Sequence, residues 1–156
     1  MPLLLFDRGA DINVVGGDYG TALGCAAQRG DMEMASLLLD RGADISIVGG
    51  NYGTALGSAC ASSHQHATSA GRTAIATLLL QRGADVNTPF GGQYGTALGA
   101  SASLGRIELV KVLMRYGANP DLTNDDGMNA RTLAERAGHL DVVQLLDSWD
   151  GGSESS

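Results

Sequence analysis

Three glycine-rich stretches in this chain of 156 residues have the composition of a loop that could hold a phosphate group. GGDYGTALG begins at Gly16, GGNYGTALG at Gly49 and GGQYGTALG at Gly91. A phosphate-binding loop occurs once, follows a strand, and is completed by a lysine or by an acidic partner for the ribose. Here the stretch occurs three times, and neither GxGxxG nor GxxxxGK followed by Ser or Thr is present. The repetition favours the turns of a structural repeat over a nucleotide site.

Two histidines could supply half of a metal site. His64 and His66 form a His-x-His pair in SHQHATSA, residues 63–70. A zinc site usually takes four Cys, His, Asp or Glu ligands, and this segment has no Cys, Asp or Glu to complete the set. A polar surface loop is the favoured interpretation, a metal-binding protein is a remote alternative, and no cofactor is expected.

The remaining reactive side chains do not form a catalytic set. Cys25 and Cys60 lie among alanines, and no histidine has a repeat position beside them that could activate a thiolate. Carboxylate pairs such as Asp125 and Asp126 are typical of solvated turns. The chain is therefore predicted not to be an enzyme, and no small-molecule substrate is expected.

The composition excludes several classes of partner. A net charge of −7 leaves no basic surface for nucleic acid or for an anionic membrane. With 44% hydrophobic and only 4% aromatic residues, the core is expected to consist of small and aliphatic side chains. Two unpaired cysteines and the lack of a signal-peptide pattern favour an intracellular protein, most simply cytoplasmic, with the nucleus as the alternative.

A second marker recurs in step with the glycine-rich stretches. Tyr19 and Tyr52 are 33 residues apart, and LLLDRGADIS from Leu37 is matched by LLLQRGADVN from Leu78. Periods of this length indicate a stacked repeat protein, and each unit can be built from local rules. The predicted N-caps are Thr21, Thr54, Thr96 and Asn129. A short first helix, a glycine turn, a second helix and a long hairpin-like loop then follow.

These motifs resemble the ankyrin repeat family over almost the whole chain, up to about Trp149. TALGCA, TALGSA and TALGAS correspond to the family's Thr-Pro-Leu-His-x-Ala, and its Gly-Ala-Asp-Val-Asn is almost unchanged. The resemblance implies an all-α solenoid of helix-turn-helix units. Gly24, Gly57 and Gly99 replace the family histidine, which removes a side chain that usually ties neighbouring turns together. The GGxYGTAL form is similar to ankyrin arrays of filamentous fungi, which often follow NACHT-type signalling ATPases.

The marker positions divide the chain into repeat units. An insertion at 63–70 is expected as a surface loop, because a helix–helix turn accepts extra residues without disturbing the core. The predicted segments are a partial leading unit at 1–18, consisting of a second helix and hairpin only, repeats at 19–51, 52–93 and 94–126, a C-terminal repeat or cap at 127–149, and a flexible tail at 150–156.

The resemblance implies a non-catalytic scaffold that binds a protein partner on a concave face. The alternative is a C-terminal ligand-sensing fragment of a larger fungal signalling receptor. The tyrosines of the turns should form a column, either packed between hairpins or offered to a partner, and packing is the favoured interpretation. The implied contact residues are Asp18, Asn51, Gln93 and Asp126 at the turn tips, Gln28, Arg29, Ser62, Ser103, Leu104 and Arg136 at the first-helix ends, and Tyr19, Tyr52 and Tyr94 in the column.

Overall fold

The computed structural model describes residues 8–63, 65 and 67–150, and this part of the chain contains eight α-helices and no strand. The helices form four antiparallel pairs, numbered here as pairs 1 to 4. They are α1 (Ala22–Arg29) with α2 (Met32–Asp40), α3 (Ala55–Ala61) with α4 (Ser69–Gln81), α5 (Ala97–Ser103) with α6 (Ile107–Arg115), and α7 (Ala130–Ala137) with α8 (Leu140–Ser148). The predicted helix of the leading unit and the tail after Asp150 lie outside the described residues.

The predicted N-caps of the four first helices are confirmed. The Thr21 hydroxyl accepts a hydrogen bond from the Gly24 amide, and Thr54 and Thr96 do the same for Gly57 and Gly99, all at 3.0–3.1 Å. In pair 4 the Asn129 side chain accepts from the Thr132 amide at 3.0 Å. Each cap satisfies an amide that has no partner within the helix, so these side chains set where the first helices begin.

The glycine three residues after the cap is explained by the turn that precedes it. A Cβ on Gly99 would collide with the carbonyl oxygen of Tyr94 and lie 3.3 Å from the Leu133 side chain. A Cβ on Gly57 would collide with the Tyr52 carbonyl in the same way. The tyrosine backbone therefore occupies the space of the missing side chain, and the GGxYGTALG stretch is a single self-packed turn and helix start.

The pairs stack through their first helices and, separately, through their second helices. Along the stack α1 packs on α3, α3 on α5 and α5 on α7, while α2, α4, α6 and α8 form the second row. Leucines of the first helices, such as Leu56 and Leu98, are 1% exposed, and alanines such as Ala59 fill the gaps between them. The expected core of small and aliphatic side chains is confirmed, and no described helix is long and apolar enough to cross a membrane.

Successive turns are joined by hydrogen bonds from one pair to the next. The Asp44 amide donates to Asn13 Oδ1 at 2.8 Å, and the Asn119 amide donates to Asn87 Oδ1 at 2.7 Å. The Asn51 amide also donates to the carbonyl of Asp18 at 2.8 Å. These bonds join the loop before pair 1 to the loop after it, and the loop after pair 2 to the loop after pair 3.

The insertion is only partly the surface loop that the sequence predicts. Ser69 and Ala70 form the first turn of α4, which has 13 residues where α2, α6 and α8 have nine. Thr68 caps this longer helix through its hydroxyl, which accepts from the Gly71 amide at 3.0 Å. Ala67 is buried against Gly30. The extra residues extend a helix because a capping threonine stands inside the insertion.

The insertion also changes how α3 ends. Helices α1 and α7 end in left-handed glycines, Gly30 and Gly138, whereas the residue after α3 is Ser62 in extended backbone. The carbonyls of Cys60 and Ser62 accept instead from the Arg106 guanidinium, both at 2.6 Å. Arg106 of pair 3 thus caps the C-terminus of α3, which lacks the usual glycine. The partial negative charge of a helix C-terminus also favours a guanidinium there.

Candidate partner-binding face

The turn tips and the C-terminal ends of the first helices form one edge of the stack, called here the tip face. Asp18, Asn51, Gln93 and Asp126 are all exposed at the tips. At the helix ends Arg29 and Arg136 are exposed, while Gln28, Ser103 and Leu104 are partly buried. Most of the residues that the sequence implies for partner contacts therefore have side chains that reach solvent on this face.

One cavity on the tip face collects several of these residues. It has a volume of about 340 Å³ and lies between pairs 3 and 4. Five of the predicted residues share its lining with three that sequence reasoning missed, Met128, Leu133 and Ala137. The predicted five are Gln93, Tyr94, Ser103, Asp126 and Arg136. Five of the eight lining residues are polar or charged, and Met128, Leu133 and Ala137 add an apolar part, so the cavity can offer both hydrogen bonds and apolar contact.

A buried asparagine shapes the turn that forms the rim of this cavity. Asn124 is 6% exposed, and its Oδ1 accepts from the amides of Asp126 at 3.0 Å and Met128 at 2.8 Å. Its Nδ2 donates to the carbonyl of Gln93 at 2.7 Å. Asn124 is therefore a positioning residue, and NDDG, a sequence typical of turns, was the only signal for it.

Arg136 lies at the cavity and has no strong hydrogen-bond acceptor among the described residues. Its Nη1 donates to the Met128 thioether at 2.9 Å, and sulfur of this kind is a weak acceptor. Arg131, on the same helix, is by contrast bound to Asp147 at 2.7 Å and to Glu135 at 3.3 Å. The two arginines of α7 thus differ: Arg131 is held in an ion-pair network and Arg136 has donors available.

A second arginine adds positive charge to the tip face. Arg106 is partly buried between pairs 2 and 3, and burial is the largest influence lowering the pKa of its guanidinium, followed by the charge of Arg72. Tyr52 and Tyr94 lie close enough to raise that pKa. Among the described groups that act on this pKa there is no carboxylate. Both terminal nitrogens of Arg106 donate to backbone carbonyls, so it contributes charge here rather than free donors.

One predicted contact residue is not available to a partner. The side chain of Ser62 is 0% exposed, and its hydroxyl donates to the carbonyl of Gln28 at 3.2 Å. The sequence pattern placed Ser62 at a helix end, but α3 ends in extended backbone there and turns the hydroxyl towards pair 1. Ser62 is therefore excluded from the tip face.

The tyrosines of the column are not equivalent. Tyr19, at the first turn, is 49% exposed, whereas Tyr52 and Tyr94 are partly buried. Tyr94 also lines the cavity between pairs 3 and 4. The three tyrosines therefore include an exposed ring and two partly buried ones. That the column serves packing between hairpins and not partner contact stays a prediction.

The glycine turns and the titratable residues give no sign of a reaction centre in the described part of the chain. The amide of Gly92 donates to Asp125 Oδ2 of the next turn at 2.7 Å, and that of Gly49 donates within its own turn. Burial raises the pKa of the Cys60 thiol to about 12, which opposes thiolate formation. No three His, Cys, Asp or Glu side chains gather as metal ligands among the described residues, and His64 and His66 lie outside them.

The stacked pairs and their capped turns define a class of repeat protein, and comparison with known families identifies it. The family described as Ankyrin repeats (3 copies) matches residues 1–90 and 64–151. The chain belongs to the ankyrin repeat family, and the predicted fold class is confirmed.

Individual relatives differ greatly in length. The chain is 40% identical over 74 residues to a probable E3 ubiquitin-protein ligase XBOS34 from Oryza sativa subsp. japonica. The matched segment is 47% of this chain and 14% of that protein. It is 37% identical over 79 residues to the ankyrin repeat and KH domain-containing protein mask-1 from Caenorhabditis elegans, covering 51% of this chain and 3% of that protein.

A shorter relative is matched over most of its length. The chain is 38% identical over 106 residues to a Notch-regulated ankyrin repeat-containing protein from Xenopus tropicalis, covering 62% of this chain and 92% of that protein. The chain thus spans a small part of the rice and worm proteins and nearly all of the frog protein. These relatives come from a plant, a nematode and a vertebrate, so the fungal association stays a prediction.

Proposed function

We propose that this chain is a non-catalytic module that binds a segment of another protein on its tip face, with the cavity between pairs 3 and 4 as the anchor. The observation that carries the proposal is the convergence of Gln93, Tyr94, Ser103, Asp126 and Arg136 on that one cavity. Tyrosine and arginine are enriched where binding energy concentrates in protein interfaces. An intracellular location fits the two free thiols.

Blocking the cavity tests this function. We would select binders for the full chain from a displayed library of random short peptides and measure their affinity for Ser103→Arg. A long charged side chain at this rim should weaken binding at least about tenfold, equivalent to about 1.4 kcal/mol. Ser148→Arg makes the same change at the exposed end of α8 and should leave affinity unaltered. Equal binding by both variants would contradict the proposal, provided that their melting temperatures match.

The alternative function is that of a sensor segment within a larger signalling protein, as the fungal resemblance implies. One observation favours it: Ala22 of α1 is exposed, whereas its equivalents Ala55, Ala97 and Ala130 are at most 5% exposed beneath a preceding first helix. The test compares this chain with a version extended upstream by one further repeat. The alternative would be supported if the longer version resists urea better and the short chain self-associates while the longer version does not. Equal urea midpoints and equal solution mass per chain would support a freestanding adaptor.

A further inference from the structure

The charges around the cavity between pairs 3 and 4 restrict what it can bind. Among the described residues Arg136 donates to a thioether alone, and the positive charge of Arg106 lies near Tyr94. This happens on a chain whose net charge is −7. The lining of the cavity has one guanidinium, Arg136, and one carboxylate, Asp126, so it lacks the acidic excess of the chain as a whole. A guanidinium with open donors beside apolar side chains is well suited to a carboxylate.

The opposite rim carries a single acidic group. Asp126 lines the same cavity, and no ion pair joins it to Arg136 in the part of the chain that the structure describes. Its charge, together with the acidic chain as a whole, disfavours a ligand with several carboxylates. Met128 and Leu133 supply an apolar wall, and Ser103 supplies a hydroxyl at the helix ends.

We propose that the cavity binds a partner segment carrying one Asp or Glu next to an apolar residue, with the carboxylate on Arg136 and the apolar side chain on Met128 and Leu133. This rests on the proposed function and adds the chemistry of the partner to it. Arg136 binds the carboxylate by donating hydrogen bonds to it from its free N–H groups. Arg106 does not line the cavity, and its terminal nitrogens already donate to the carbonyls of Cys60 and Ser62, so it adds to the attraction only through its charge.

The test is a coupling measurement on the peptides selected with the full chain. The tightest binder and a version with its acid changed to the amide are titrated against the wild-type chain and Arg136→Gln. We expect the acid-to-amide change in the peptide and Arg136→Gln in the chain each to weaken binding about tenfold when made alone. When both are made together, the second should weaken binding by less than a further factor of about two. Arg82→Gln removes an exposed guanidinium after the end of α4, where it pairs with Asp40 outside the tip face, and should leave affinity unchanged.

The outcomes separate this inference from the proposed function. Binders that are sensitive to Ser103→Arg but carry no acid, or whose acid shows no coupling to Arg136, would overturn the inference and leave the proposed function standing. A library that yields no binder sensitive to Ser103→Arg would overturn both. Arg136 is exposed and forms no ion pair in the described chain, so its replacement should not prevent folding.

Discussion

At the scale of single residues, the structure gives a physical reason for a departure from the family pattern. Glycine stands at the family's histidine position in three first helices because the tyrosine carbonyl of the preceding turn occupies the space of a side chain. A glycine inside a helix ordinarily costs about 1 kcal/mol relative to alanine. Here a Cβ would collide with the turn, so replacing the glycine by alanine should destabilise the fold instead of stabilising it.

We predict that Gly99→Ala destabilises the fold by about 1–3 kcal/mol, because its Cβ collides with the Tyr94 carbonyl. Gly71→Ala is the matched control, since Gly71 also follows a capping threonine by three residues and, among the described atoms, its Cβ would meet Thr68 Oγ1 alone, at 3.1 Å. The control should stay within about 0.5 kcal/mol of wild type in urea unfolding. Equal effects of the two substitutions would contradict the carbonyl collision.

A second residue-scale prediction concerns the buried thiol of Cys60. Burial raises its pKa from 9.0 to about 12, with Ser101 and Arg106 acting in the opposite direction. Below pH 9 the thiol is protonated in both states, and between pH 9 and about 12 the unfolded chain releases the proton while the folded chain keeps it. The free energy of unfolding should therefore fall by up to about 1.4 kcal/mol per pH unit over this range.

The comparison with Cys60→Ala isolates this contribution from other groups that titrate at high pH. The stability difference between wild type and Cys60→Ala should decrease as the pH rises above 9, and a difference that is independent of pH would contradict the prediction. In the native state at neutral pH, a thiol reagent should modify the partly buried Cys25 before Cys60.

At the scale of helices, much of the structure could be predicted from local sequence. Thr21, Thr54, Thr96 and Asn129 begin their helices as expected, and Gly30 ends α1. The burial of Ser62, the extension of α4 and the capping role of Arg106 could not be predicted, because each depends on contacts between different pairs. The tip residues were predicted from repeat position, but the convergence of Gln93 and Asp126 on one cavity depends on the Asn124 turn.

The end of α3 yields a prediction at this scale. Arg106→Met should destabilise the fold by about 1–3 kcal/mol, because it leaves the carbonyls of Cys60 and Ser62 without a donor. Arg131→Met removes an exposed arginine whose ion pairs are in solvent, and should cost less than about 1 kcal/mol. Thermal unfolding of both variants measures the difference, and a larger loss for Arg131→Met would exclude the capping role.

At the scale of the whole molecule, stability depends on the interfaces between successive pairs. Asn13 and Asn87 each accept an amide of the next loop, whereas Ser46, at the equivalent position, hydrogen-bonds to Asp44 of its own loop at 2.6 Å. In the described chain the Asp85 amide does not donate to Ser46, and the bonds of both residues stay within their own loops. This junction lacks one of the bonds that its neighbours have.

We predict that Ser46→Asn stabilises the stack by about 0.5–1.5 kcal/mol, because the new amide oxygen can accept the Asp85 amide. Ser46→Ala is the control and should give no gain, since it removes the hydroxyl without adding an acceptor. Urea unfolding compares the midpoints of the three proteins. A midpoint for Ser46→Asn at or below that of Ser46→Ala would show that the junction does not gain the bond.

The collision between the turn carbonyl and the glycine position also has an evolutionary consequence. Pair 4 has Thr132 where the other first helices have glycine, and its turn has Gly127-Met128 in place of the Tyr-Gly sequence. The turn and the first helix should therefore change together: a unit that loses its Tyr-Gly turn becomes free to accept a side chain after the cap, and a unit that keeps the turn does not. Covariation between these two positions should then be visible wherever such units have been duplicated.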